Sequence, residues 1–257
     1  MLRQKSLKNN SESQTSQLNP LPFPIKLLKK VEHKFDLLPR TNFFRVQTYI
    51  WLVFSALVVV SIVAQILYPV PFSFLSNTIS DQGSPQLNPL GSIFWRIGVI
   101  INGLAHIPYL LYLAAKFQKF NSVKARQFKR IGIFAAIGFS TVGIFPLDLG
   151  TIHYIMALIA FLGYYRAANL SFEIIIGVNS QIRYKFSLKI KTFNLVRLFK
   201  LYFRVSGALC LGSFLINKLI FQKDVSAILE WNYLLAICLW LLMWPAIIHE
   251  IESNLKP

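Results

Sequence analysis

The side chains most able to do chemistry stand in short polar segments between long apolar runs. The first segment, NTISDQGSPQLNPLGSIFWR, has three serines and one carboxylate but no lysine, although the whole chain is strongly basic. Two later segments, FPLDLGTIHY and ILEWNY, add a histidine and two more carboxylates. Such a set could supply a nucleophile and its base, metal ligands, or a binding site for a polar group. The candidate residues are Ser80, Asp81, Asp148, His153 and Glu230.

A hydrolase built on these residues meets a spacing problem. The sequence has no HxxxH, HExxH or GxSxG pattern, the spacings that bring metal ligands or an activated serine together locally. The next internal histidine, His106, lies about ten helical residues deeper than His153, which is ~15 Å at 1.5 Å per residue. We therefore predict no metal and no cofactor. A membrane-embedded hydrolase that uses Asp81, Asp148 and His153, with Ser80 as a further catalytic candidate, is kept as an alternative.

The composition is that of a membrane protein. Of the 257 residues, 54% are hydrophobic and 14% are charged, and the mean hydropathy is +0.51, whereas a soluble domain carries roughly 25% charged residues. Apolar runs of about 20 residues recur, which is the length that crosses a hydrocarbon core of about 30 Å. The sequence therefore predicts a polytopic protein of the cell membrane.

Six apolar runs predict an all-α fold with six transmembrane helices in one bundle. The runs lie at about 47–69, 93–115, 130–146, 152–176, 199–221 and 230–250. The third is short and ends at Pro146, so the third and fourth should form a tight antiparallel hairpin. Small residues spaced by four in the third and fifth runs would let neighbouring helices approach closely. These residues are Gly132, Ala136 and Ser140, and then Ala208 and Gly212.

Lysine and arginine are distributed unevenly between the runs. The N-terminal region and the segments after the second and fourth runs hold nearly all of them, whereas the three alternate segments hold only Lys223. The positive-inside rule then places both termini in the cytoplasm. Basic blocks that face anionic lipid headgroups explain the net charge of +17. We therefore predict membrane lipids as partners and no nucleic acid, and the sequence names no protein partner.

The chain is expected to divide into four parts. Residues 1–24 are polar and without periodicity, which predicts a disordered tail. Residues 25–45 place apolar side chains on one helical face and lysines off it, as in a basic helix on a membrane surface. A solvated helix packed on the domain would show the same pattern. The transmembrane domain should then cover 46–251, followed by a short tail at 252–257.

With this topology most of the polar candidates gather at the outer face. Arg96, just inside the second run, is the natural counter-ion for Asp81 or Asp148. Such pairs could fix the loops, or they could form a ligand site. Ser80 and Asp81 are also expected to bond backbone N–H groups a little further along the chain, and Gly83 permits a positive φ there. The ligand-binding candidates are Asp81, Arg96, His106, Asp148, His153 and Glu230.

Residues inside the apolar runs are expected to serve mainly packing. His106 should hydrogen-bond another helix, although proton or metal chemistry stays open. Cys210 and Cys238 both fall in apolar runs, which predicts small packing residues. Arg166 and Glu173 are two helical turns apart and should lie on the same face.

Several motifs resemble known families. NTISDQG, NPLGSIFWRIGVIINGL and GIFPLDLGTIHYIMALIAF resemble the prokaryotic membrane family DUF998 (domain of unknown function 998). ISDQG, the histidine at 153 and VSAILEW also resemble the six-span DRAM-like (damage-regulated autophagy modulator) family. The resemblance covers roughly residues 47–250. The positions that match are Ser80, Asp81, Gly83, Asp148, His153, Glu230 and Trp231.

The two resemblances carry different expectations. DUF998 implies a six-span membrane protein without an assigned activity. The DRAM-like family implies a role in lipid organisation or membrane trafficking. A DRAM-like sequence is expected to have an acidic residue shortly after its SD-x-G-x-P segment, where this chain has Gln86 and Asn88.

Three classes of function remain open from the sequence. The first is a non-enzymatic protein that binds or organises lipid, with a polar cluster at the outer face. The second is the hydrolase described above. The third is a small-solute transporter, which should show internal repeats or broken helices near the midplane. Only Asn102, His106 and Pro108 hint at a broken helix, so the sequence favours the first class.

Overall fold

A computed structural model describes residues 43–186, 191–216 and 227–254, and the regular structure in these ranges is helical, without strands. The helices are α1 Phe43–Ile66, α2 Gly91–Gln118, α3 Ser122–Ile144, α4 Thr151–Phe186, α5 Lys191–Ile216 and α6 Ala227–Asn254. Two 3-10 turns, Ser80–Gly83 and Leu147–Leu149, lie in the connections before α2 and α4. The predicted tail at 1–24 and residues 25–42 of the predicted surface helix lie outside the described residues. The last helix continues past the expected boundary at 251.

Each described helix packs on the next one in the chain, and α6 also packs on α1, so the helices form a closed ring. Their directions alternate. We call the end at which α2, α4 and α6 begin the loop end, because both 3-10 turns lie there. The opposite end is called the basic end, because ion pairs of Lys116, Lys119 and Lys124 lie there.

Five of the six helices are long and apolar enough to cross a membrane, namely α1, α2, α4, α5 and α6. The prediction of six apolar spans is thus confirmed for five helices, and α3 is the helix that does not meet the length and hydropathy of a span. Its first half carries Lys124, Arg126, Lys129 and Arg130. The apolar remainder, 131–144, would be only ~21 Å long at 1.5 Å per residue.

Large aromatic side chains fill the centre of the bundle. Trp240, Trp244, Tyr164 and Phe203 are fully buried, whereas α1 exposes many apolar side chains, as expected for a surface in contact with lipid tails. His106 Nδ1 lies 2.7 Å from the Tyr164 hydroxyl on α4, which confirms the predicted bond to another helix.

The cysteines and the proline of α2 behave as structural residues. Cys210 and Cys238 are free and buried, which confirms the packing prediction. Pro108 does not interrupt α2, which continues to Gln118. One turn earlier, the Tyr49 hydroxyl of α1 donates to the Ala105 carbonyl at 2.7 Å.

Small residues bring α2 and α3 into close contact. Gly132, Ala136 and Ser140 are buried, and the Ser140 hydroxyl donates to the Ile100 carbonyl of α2 at 3.2 Å. The corresponding prediction for α5 is wrong. Among the described residues no heavy atom lies near a side chain built at Gly212, and Ala208 is exposed.

Ion pairs tie the helices together at the basic end. Lys116 Nζ of α2 lies 2.8 Å from Glu252 Oε2 of α6, and Lys124 Nζ of α3 lies 2.8 Å from Glu173 Oε2 of α4. Arg166 Nη1 is 4.0 Å from Glu173 Oε1, which confirms the predicted pair along α4. These contacts join α2 to α6 and α3 to α4.

We expect Glu252→Gln to lower the free energy of unfolding by about 2 kcal/mol, because it leaves a buried ammonium without its acidic partner. The Lys116 side chain is only 8% exposed. The matched control is Lys119→Gln, since Lys119 contacts the same carboxylate but is 58% exposed, and we expect a change below ~0.5 kcal/mol. Thermal melting of the three proteins in one detergent checks this, and equal losses in the two variants would contradict it.

Candidate functional site

Three distant segments meet at the loop end around one serine hydroxyl. Ser80 Oγ lies 3.0 Å from His153 Nε2 and 3.1 Å from Glu230 Oε1. Ser80 begins a 3-10 turn, His153 lies in the first turn of α4, and Glu230 lies in the first turn of α6. His153 and Glu230 are buried. We call Ser80, His153 and Glu230 the central triad.

The orientation of the imidazole is fixed by the end of α3. His153 Nδ1 lies 2.7 Å from the Phe145 carbonyl oxygen. A carbonyl can only accept, so Nδ1 carries a proton and donates it. The other nitrogen, Nε2, therefore points at Ser80 in every protonation state of the ring.

Ser80 is held in place by a reciprocal cap on its own turn. Asp81 Oδ2 accepts from the Thr78 N–H at 2.8 Å, and Thr78 Oγ1 accepts from the Asp81 N–H at 3.2 Å. This is the capping-box pattern, with aspartate in the place of glutamate. Asp81 thus bonds backward to Thr78, whereas the sequence predicted bonds further along the chain.

Gly83 does not use the positive φ that a glycine permits. Among the described glycines only Gly150 has a positive φ, of 56°. A Cβ on Gly83 would lie 2.7 Å from Trp95 Cδ1. Glycine is needed there because the turn packs against the start of α2, not because of the backbone angle.

Arg96 is not the counter-ion that the sequence suggested. Its Nε donates to the Gly143 carbonyl at 2.9 Å and its Nη2 to the Ile144 carbonyl at 3.3 Å. These carbonyls belong to the last turn of α3, where helix carbonyls lack intrahelical partners. Arg96 therefore caps α3. The carboxylates of Asp81 and Asp148 instead accept hydrogen bonds from the uncharged residues Thr78 and Ser84.

Asp148 links the two connections of the loop end. The Ser84 hydroxyl, just after the first 3-10 turn, donates to Asp148 Oδ1 at 2.6 Å. Asp148 itself is exposed, unlike His153. The charge of Asp81 also acts on Tyr68, in the loop before it. The pKa of Tyr68 is raised mainly by burial, and the negative charge of Asp81 adds to this effect.

The central triad lines two small cavities, each of about 30 Å³. The inner cavity is lined mostly by apolar residues such as Val99, Phe139 and Leu234. The outer cavity also touches Thr78, Asp81, Tyr154 and Phe214. A cavity needs roughly 10–15 Å³ of such space for one water, so each has room for one or two waters or for a small polar group.

His106 does not join the central triad. It lies deeper, stacked on Phe139 at a centroid distance of 6.0 Å, and Phe139 separates it from the inner cavity. Within the described ranges no three His, Cys, Asp or Glu side chains are arranged to hold a metal ion. Of the six ligand candidates, His153 and Glu230 belong to the central triad, and Asp81 and Asp148 lie beside it. Arg96 and His106 make structural contacts between helices instead.

Sequence reasoning missed two buried amides, Asn88 and Gln82, and one buried hydroxyl, Ser61, that help to build the site. Asn88 Nδ2 donates to the Ala64 and Gln82 carbonyls, and its Oδ1 accepts from the Gly91 N–H at 3.0 Å. Gln82 Oε1 accepts from the Ser61 hydroxyl at 2.9 Å. An asparagine three residues before a helix start is a readable capping signal, whereas the contact of Gln82 with α1 leaves no local trace in the sequence.

The contacts around Ser80 limit what it can do chemically. A Ser–His pair could act as nucleophile and base, but acyl transfer also needs N–H donors aimed at the developing oxyanion. The Asp81 N–H is used by Thr78 Oγ1, and the Gln82 N–H by the Ile79 carbonyl at 3.3 Å. Two backbone donors next to Ser80 are therefore already engaged within its own turn.

Comparison with known proteins agrees with this membrane architecture. Residues 52–246 match the family described as protein of unknown function (DUF998). The relation to the DRAM-like family is not shown, and no curated protein or solved structure matches the chain. The match extends over far more than half of the 257 residues, so this multi-pass membrane protein belongs to the DUF998 family.

Proposed function

We propose that the protein is a non-enzymatic, six-span membrane protein that binds the polar headgroup of a lipid at the loop end. The observation that carries this proposal is the commitment of the Ser80 hydroxyl to two side chains, His153 and Glu230. The outer cavity beside them is also lined by Asp81, and a carboxylate can accept several hydrogen bonds. A headgroup that donates hydrogen bonds, such as an ammonium or a hydroxyl, fits this acidic lining.

The proposed topology puts both termini in the cytoplasm and the central triad at the outer face. The alternation of six helices supports it, because the first begins and the last ends at the basic end. The positive-inside rule favours the cytoplasm for that end. There the basic side chains would contact anionic headgroups, and we propose no nucleic acid as partner. α3, the third helix along the chain, would complete the six spans as the shortest of them, with its basic first half at the cytoplasmic interface.

A photo-crosslinking experiment tests headgroup binding. The purified protein in lipid nanodiscs is irradiated with a phospholipid that carries a diazirine on an ethanolamine headgroup, and the labelled peptides are mapped. We expect label on residues 77–91 and 144–157, and much less after Asp81→Leu, which fills the outer cavity. Label confined to the exposed face of α1, and unchanged in the variant, would contradict the proposal.

A second candidate function is the membrane-embedded hydrolase. The observation that favours it is the distance of 3.0 Å between Ser80 Oγ and His153 Nε2, with the other ring nitrogen fixed by the Phe145 carbonyl. A fluorophosphonate probe distinguishes the two functions, because it reacts with activated serines. Labelling of the wild type that is lost in Ser80→Ala would establish the hydrolase, and no labelling of either supports the binding protein.

A further inference from the structure

The hydrogen bonds of the central triad require more protons than the three side chains hold in their ordinary forms. His153 uses its Nδ1 proton on the Phe145 carbonyl. Ser80 has one hydroxyl proton but lies within hydrogen-bond distance of both His153 Nε2 and Glu230 Oε1. With a neutral imidazole and an ionised carboxylate, both neighbours of the hydroxyl are acceptors. One of the two contacts would then have no proton.

One additional proton completes both hydrogen bonds, and it has two possible positions. On His153, the Nε2–H donates to Ser80 Oγ and the Ser80 hydroxyl donates to the Glu230 carboxylate. On Glu230, the carboxylic acid donates to Ser80 Oγ and the Ser80 hydroxyl donates to Nε2. The two forms interconvert when two protons shift along the same line of atoms.

We infer that Ser80, His153 and Glu230 form a proton-binding site that shares one proton between the carboxylate and the imidazole through the serine hydroxyl. Among the described residues, Glu230 makes no ion pair with lysine or arginine, so the bound proton is the positive charge closest to the carboxylate. The backbone N–H of Ile79 also bonds Glu230. The two cavities beside the triad provide the space through which a water could deliver or remove the proton.

The ionisable groups around the site come from four elements, namely the two 3-10 turns, α4 and α5. Asp81, in the first 3-10 turn, and Cys210, on α5, lie close enough to Glu230 to interact with its charge. Asp148, in the second 3-10 turn, does the same with His153, and Tyr154 lines the outer cavity beside it. The carboxylates among these groups favour a bound proton, since each adds negative charge near the site.

The site has a measurable consequence for stability. Between pH 7 and 9 an unfolded chain carries an ionised Glu230 and a neutral His153, so it binds one proton fewer than the folded protein does. Unfolding then releases a proton, and the folding equilibrium constant falls by up to about tenfold for each pH unit. Stability is therefore lost as the pH rises from roughly 6.5, where the unfolded His153 loses its proton, up to the pH at which the folded site releases the shared proton.

The substitution that tests this is Glu230→Gln. The new amide donates to Ser80 Oγ, so the serine can donate to a neutral His153 and no extra proton is needed. We expect the wild-type melting temperature in lipid-free detergent to fall between pH 7 and 9, and that of Glu230→Gln to stay nearly constant. The control Glu250→Gln, at the other end of α6, should follow the wild type. Parallel profiles for the wild type and Glu230→Gln would overturn the inference.

A second measurement does not depend on the variant's stability. In protein labelled with ¹⁵N-histidine, the ring nitrogens of His153, assigned with His153→Gln, report which of them carries a proton. We expect a ¹⁵N shift of His153 Nε2 that titrates together with the infrared carboxylic-acid band of Glu230. An Nε2 without a proton beside an ionised carboxylate throughout pH 5–9 would overturn the inference. The measurement needs no lipid, so its failure would leave the headgroup proposal untouched.

Discussion

Gly103→Ala is expected to lower the free energy of unfolding by about 3 kcal/mol and the melting temperature by roughly 5–10 °C. A Cβ at Gly103 on α2 would lie 2.7 Å from the Ser140 N and 2.8 Å from the Ala136 carbonyl oxygen of α3. Both are backbone atoms, so they move only if the two helices separate. The gain of about 1 kcal/mol in helix propensity is too small to compensate.

The matched control for this substitution is Gly212→Ala on α5. No heavy atom of the described residues lies within 4 Å of a Cβ built there, so only the helix propensity changes. We expect a melting temperature equal to or slightly above that of the wild type. If both variants lost the same stability, close α2–α3 packing would not be the cause.

Asn88→Ala should have a similarly large effect, about 4 kcal/mol or roughly 10 °C. The Asn88 side chain is fully buried and connects the end of α1, the first 3-10 turn and the start of α2. Its removal leaves the Gly91 N–H and two carbonyl oxygens without this partner, and each buried unpaired group costs about 1–3 kcal/mol.

Two further variants separate the roles of Asn88. Asn88→Asp keeps the acceptor for the Gly91 N–H but places negative charge against the Ala64 and Gln82 carbonyls, so we expect it to be at least as harmful as alanine. Gln86→Ala, two residues earlier and exposed, should change the melting temperature by less than 2 °C, since surface substitutions stay within about 0.5 kcal/mol. Equal melting of Asn88→Ala and Gln86→Ala would contradict the buried role.

Much of the helix arrangement could be predicted from the sequence, because apolar length and small-residue spacing are local signals. The first run, expected at about 47–69, corresponds to α1 at Phe43–Ile66. The third was placed at 130–146, whereas α3 begins at Ser122. Lysine and arginine are good helix formers, so the helix extends through a basic stretch that hydropathy alone excludes.

The sequence predicts which residues belong to the candidate site, but not which of their side chains contact each other. Ser80, His153 and Glu230 were all singled out, yet they are separated by 73 and 77 positions along the chain, and no local pattern tells which side chains meet. Arg96 was assigned to a carboxylate because opposite charges attract. The end of α3 offers two unpaired carbonyls to it instead, which only the packed structure reveals.

The most direct test of headgroup binding beside the central triad is native mass spectrometry of the protein released from gentle detergent. We predict that the wild type retains one lipid of a defined class without metal, and that Asp81→Leu, which fills the outer cavity, loses that lipid. A bare wild-type polypeptide, or equal retention by Asp81→Leu, would contradict the account. A stoichiometric metal mass would also contradict it and would favour the hydrolase.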